Sequence, residues 1–152
     1  MKTDLNFLKS LCEAFAPPSM EGEVRALLSD RLLAAGLHPA TSRNGNLTVT
    51  IKGKFAAPHV AFLAHMDEPG LMLTEAQDEY FRFEPLGRID PRVLSGRFVT
   101  LGNEQARHKG LIAAKGIHLQ DRAERRSVRV FQQRTVIVHR VAGEIQAGRL
   151  LL

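Results

Sequence analysis

The strongest constraint on this sequence is a change of hydrophobic period close to Gly70. Upstream, Leu5, Phe7, Leu8, Leu11 and Phe15 recur at helical spacing and the pattern stops before Pro17-Pro18. A second helical face follows in Val24, Leu27, Leu28, Leu32 and Ala35, with Ser19 as the expected N-cap, Glu21 and Glu23 in the first turn, and Gly36 as the stop. From His38 the period falls to two, and Asn44-Gly45-Asn46 before Leu47–Ile51 predicts a hairpin turn. The run His59–Ala64 is almost continuously apolar, which is the pattern of a strand covered on both faces.

Downstream of Gly70 no helix-length pattern occurs. Expected strands are Leu71–Ala76, Tyr80–Leu86, Val93–Leu101 and Lys109–Ala114, separated by Asp78-Glu79, Gly87, Pro91 and Gly102. Residues 1–69 therefore read as part of a layered α/β domain and residues 70–127 as a small antiparallel β-barrel or sandwich.

Composition narrows the function classes. The 152 residues are enough for a real core, and no stretch approaches the roughly 20 apolar residues of a membrane helix, so no membrane partner is expected. Cys12 is the single cysteine, expected as a buried thiol on helix one, and with no secretory leader apparent a reducing cytoplasm is the expected location. The net charge of +5 suggests nucleic acid until its distribution is considered. Residues 121–152 carry seven arginines and three acids, whereas residues 1–120 are nearly balanced. Arg122, Arg125, Arg126 and Arg129 have no aromatic side chains interleaved with them, so no nucleic-acid partner is expected.

The chemistry-bearing stretch is Ala64-His65-Met66-Asp67-Glu68-Pro69-Gly70, where the apolar run ends. His65 and Asp67 are two apart and project to one side of an extended backbone. An imidazole so placed can bind a metal through one nitrogen while a carboxylate fixes its tautomer. On spacing alone the signal is weak, since His-x-Asp recurs by chance, and a turn-capping Asp67 beside an ordinary polar His65 is the favoured reading. His108 and His118 read as loop polar residues, with weak ligands as the alternative, and His59 as a strand start.

Several longer pieces carry a family resemblance. They are Leu8–Pro17, Met20–Arg25, Arg43–Leu47, Pro58–Glu68, Phe81–Gly87 and Asp90–Leu94, followed by Lys109–Ile112 and His118-Leu119. Together they resemble the metallo-aminopeptidases that include tetrahedral, glutamyl and deblocking aminopeptidases, some of which carry an endoglucanase label. The resemblance implies an α/β catalytic domain followed by a PDZ-like β-barrel dimerisation module. It also implies hydrolysis of N-terminal residues from peptides with a free N-terminus, two zinc or cobalt ions in the complete site, and a homo-oligomer. His65 would be the first metal ligand and Asp67 the catalytic carboxylate that orients the geometry around it.

The rest of such a site is not found in the sequence. A two-metal site needs a bridging carboxylate, a ligand for each ion and a glutamate that takes a proton from the attacking water. There is no Glu-Glu pair, and the acids after Asp121 are Glu124 and Glu144. Residues 128–152 read as an Arg-rich tail outside the family pattern, with Ser127–Arg140 as one strand, consistent with a reading frame truncated or shifted near Val128. The expectation is an aminopeptidase-family chain inactive on its own; the alternative is a non-catalytic oligomerisation or binding module.

Overall fold

The computed structural model describes residues 4–55, 57–77, 80–103, 105–113, 118, 121–122, 135–138 and 150–151. The chain divides into two compact units, residues 1–67 and 68–152.

The first unit opens with α1, Leu5–Glu13, capped by Asp4, whose carboxylate accepts from the Phe7 N–H at 3.1 Å. The second helix, α2, runs Gly22–Ala34 and ends at Gly36, which has φ +75°. Ser19 is not its N-cap. Pro17 to Met20 closes a turn through Met20 N–H to Pro17 O at 2.9 Å, and Ser19 takes φ +72° at its third position. That geometry, with Pro18 at the second position, is that of a type II turn, so Ser19 lies outside the helix and its N–H donates to Glu21 Oε1 at 2.7 Å. Glu23 Oε2 accepts from the Phe15 N–H at 3.0 Å, which ties the connection back to α2. Ala14, Ala16 and Val24 form the buried centre, with Leu11, Leu27, Leu28 and Met66 packed on it.

The expected hairpin is present as β1, Ala40–Thr41, paired antiparallel with β2, Leu47–Thr48. Gly45 at φ +83° makes the turn, and Arg25 on α2 reaches it: its Nε donates to Gly45 O at 2.7 Å. Two further expectations fail in this unit. Cys12 is exposed because it lies off the face that packs on Val24. Residues 59–64 form no strand, His59 starts none, and Val60, Phe62 and Leu63 are 74%, 96% and 91% exposed. An apolar run becomes a covered strand only when neighbours supply ladder partners, and none pairs with it among the described residues.

The second unit is a closed barrel of β3 (Gly70–Gln77), β4 (Tyr80–Leu86), β5 (Phe98–Gly102), β6 (Arg107–Ala113), β7 (Thr135–Val138) and β8 (Leu150–Leu151), in the order β3-β4-β7-β6-β5-β8. Its pairings are antiparallel. Period-two alternation sends Leu71 and Leu73, Phe81 and Phe83, Val99 and Leu101, and Ile112 inward, and together they form the core. Residues 93–97 do not extend the fifth strand. A 3-10 turn at Pro91–Val93 and Gly96 at φ +72° turn the chain first, so β5 begins at Phe98. His108 stands in β6 and not in a loop.

The stretch 128–152, set apart above as a tail, supplies β7 and β8, which close the barrel. Thr-Val-Ile-Val supplies the β-branched pattern that a strand between β4 and β6 needs. Arg125, Arg126 and Arg129 lie outside the described residues, and Arg122 is exposed.

Candidate functional site

Both predicted site residues fall in the first unit, on the segment that follows the unpaired apolar run. Met66 between them packs on the Ala14–Ala16–Val24 cluster, in which neither flanking side chain takes part. His65 is largely exposed, with 83% of its side chain open, and Asp67 is half-buried at 42%.

The structure brings the pair together. His65 Nδ1 lies 2.8 Å from the main-chain oxygen of Asp67 and 3.3 Å from its carboxylate Oδ1. A carbonyl oxygen only accepts, so the first contact requires a proton on Nδ1, and the neutral ring then presents its lone pair at Nε2. A bare Nε2 can ligate a cation, and a carboxylate two residues away can serve as an oxygen donor.

The divalent metal that the resemblance implies asks for more than this. A zinc site takes three or four protein donors, and no group of three or more His, Cys, Asp or Glu that could hold a metal occurs among the described residues. His65 and Asp67 are a partial donor set, and no hydrolytic step is derived from them alone. His59, His108 and His118 do not join the pair in any such group.

Among the described residues of the second unit, Asp90 is the strongly perturbed carboxylate. Arg92 donates from its side chain and its backbone N–H to Asp90, at 3.0 Å for both Nε and N, and holds the Asp90 carboxyl down from 3.8 to about 2. The pair lies at the start of the 3-10 turn before β5, where it fixes the chain direction. No helix among the described residues is long and apolar enough to cross a membrane.

Comparisons with known proteins place the pair in context. The family model for M42 glutamyl aminopeptidase matches residues 45–139, which takes in His65, Asp67 and β7. The glutamyl aminopeptidase of Lactococcus lactis subsp. cremoris is 38% identical over 96 residues, covering 62% of this chain and 27% of its own length. The crystal structure of the TET aminopeptidase from a marine-sediment Thaumarchaeota archaeon superposes with a TM-score of 0.80 at 23% identity, over 97% of this chain and 43% of that one. The TET1 peptidase of Pyrococcus horikoshii, described as able to assemble into a tetrahedron or a large octahedral shell, gives a TM-score of 0.75 at 24% identity, over 97% and 46%. The chain thus spans about a quarter of the curated relative and under half of each solved neighbour. With the family model matching more than half of its residues, the chain belongs to the M42 glutamyl aminopeptidase family.

Proposed function

We propose that this chain carries part of a metal-dependent aminopeptidase site that removes N-terminal residues from peptides, with His65 as a metal ligand and Asp67 as the carboxylate beside it. The observation that carries the reading is the 2.8 Å contact of His65 Nδ1 with Asp67, which leaves Nε2 bare, inside the segment matched to the family. Zinc or cobalt, two ions in a complete site, is the cofactor class. The remaining ligands and the general base are not supplied by residues of this sequence, so the chain by itself is inactive as a hydrolase.

The supporting test is metal content measured together with release of chromogenic amino-acid anilides. The proposal expects weak, substoichiometric zinc or cobalt and no turnover by the chain alone. Retention of two tightly held ions with turnover would overturn the inactivity, and ion binding unaffected by His65→Ala would overturn the ligand assignment.

The assembly partner proposed is a second copy of the chain, through a PDZ-like barrel module. The multi-copy shells described for the Pyrococcus horikoshii peptidase support it. The proposed location is the cytoplasm, with Cys12 a free thiol. A second reading, a non-catalytic assembly module, is favoured by the exposed Val60, Phe62 and Leu63. Metal-free dimers without turnover would support it over the first.

A further inference from the structure

We infer that Asn44 is a latent deamidation site, kept from reacting by the grip of α2 on the hairpin turn through Arg25. Asparagine is a chemically labile residue, and Asn44 is the one asparagine followed by glycine; Phe7, Leu47 and Glu104 follow the others. It is exposed, so water and hydroxide reach it. In an Asn-Gly step the glycine nitrogen, once hydroxide has taken its proton, attacks the asparagine Cγ, and no Cβ on the glycine obstructs the approach. A new N–C bond closes a cyclic succinimide while the side-chain nitrogen takes up a proton and leaves as ammonia. Water then opens the ring to aspartate or isoaspartate, an acid where an amide stood.

The turn opposes that attack on both sides of residue 45. The attacking nitrogen is occupied, since the Gly45 N–H donates to Ser42 O at 2.9 Å. Ser42 closes the loop twice more: its N–H donates to Asn46 O at 2.9 Å, and its Oγ accepts from the Asn46 N–H at 3.1 Å. The carbonyl of Gly45 is held from another element, by Arg25 Nε at 2.7 Å. For the nitrogen to reach Cγ, the Asn44–Gly45 peptide must swing about the Asn44 Cα–C bond, which draws Gly45 O off the guanidinium. A charged donor makes the stronger kind of hydrogen bond, and Arg25 is steadied by Glu21 at 3.5 Å, with both side chains largely covered. The bonds of Ser42 belong to the hairpin itself, whereas that of Arg25 exists only while α2 is docked. Reactivity at Asn44 is therefore set by a helix that lies about twenty residues away in sequence.

The test incubates the full chain in mildly alkaline solution beside a peptide of residues 40–48. Conversion at Asn44 is followed by peptide-map mass spectrometry, with hydrogen exchange of the α2 amides recorded on the same samples. The chain is expected to convert at least about tenfold more slowly than the peptide; tenfold corresponds to about 1.4 kcal/mol, near the low end for a hydrogen bond made by a charged group. Arg25→Ala, and Arg25→Met, which keeps the stem and donates nothing, should bring the rate back toward that of the peptide while α2 stays protected. Equal rates in the unaltered chain and the peptide overturn the inference. So does slow conversion that persists in both variants, since the bonds of Ser42 would then suffice. Acceleration that comes only with loss of α2 protection in both variants overturns it as well, because unfolding and not the missing bond would be the cause.

Discussion

Replacing Leu101 by alanine tests the packing of the barrel most directly. Leu101 is fully buried, lies inward on β5, and is in register with His108 on β6 and Leu151 on β8. Truncation removes three carbons from a closed interior formed by Leu71, Leu73, Phe81, Phe83, Val99 and Ile112, whose strands are tied on both sides. A leucine deleted from a site that cannot collapse costs about 2.7–5 kcal/mol, the transfer loss plus the cavity. For a unit of this size each kcal/mol lowers the melting temperature by roughly 4–8 °C, so a fall of at least about 10 °C is expected.

The natural reporter is Tyr80, the single tyrosine in a chain without tryptophan, which lies on β4. Its fluorescence in a urea or thermal titration follows the barrel without a signal from the first unit. Phe98→Ala, three positions earlier on the same strand, is the control: Phe98 is 80% exposed, and the change should stay within about 0.5 kcal/mol. Equal losses for the two variants, or less than about 1 kcal/mol for Leu101→Ala, would refute the inward register of β5.

Two further outcomes are expected. Because the folded Asp90 carboxyl is held at about 2, below its ordinary 3.8, the contribution of its pair with Arg92 is complete above that ordinary value and fades as the pH falls through about 2. A carboxyl 13C titration of Asp90 that returns to the ordinary value in Arg92→Ala checks the cause. Phe62→Lys with Leu63→Glu, two changes at positions over nine-tenths exposed, should shift sedimentation toward the monomer without altering the Tyr80 melting curve; an unchanged sedimentation profile would clear this segment of a role in association.

What could be read in advance follows the range of the forces involved. The hairpin at Asn44-Gly45-Asn46, strand β4 and the helix stop at Gly36 are legible because positive φ and strict alternation are local demands. The place of Ser19 is not legible, because a serine before acidic residues looks the same whether it caps a helix or occupies the third position of a proline turn. The exposure of the 59–64 run is not legible, because burial is a property of neighbours, and no sequence pattern supplies them. A strand within Ser127–Arg140 is legible and contains β7, whereas the short β8 and the place of both strands in the barrel are not, since closure depends on contacts with β3, β4, β5 and β6, far away in sequence. At the site, the spacing of two makes the proximity of His65 and Asp67 legible, whereas the contact with the Asp67 main-chain oxygen is not, because any residue carries that atom.

The grip of Arg25 on the hairpin turn has a consequence for how the two positions can vary. A Cβ added at Gly45 would stand 2.8 Å from Arg25 Nη2, and the residue there must also hold φ +83°. Asparagine tolerates that backbone, but only if the guanidinium yields. Positions 25 and 45 therefore form an epistatic pair: a side chain becomes tolerable at the turn when the helix residue is shortened, and neither change is neutral in the other's absence. Helix α2 and the hairpin, separate in the chain, are in this respect a single unit of variation.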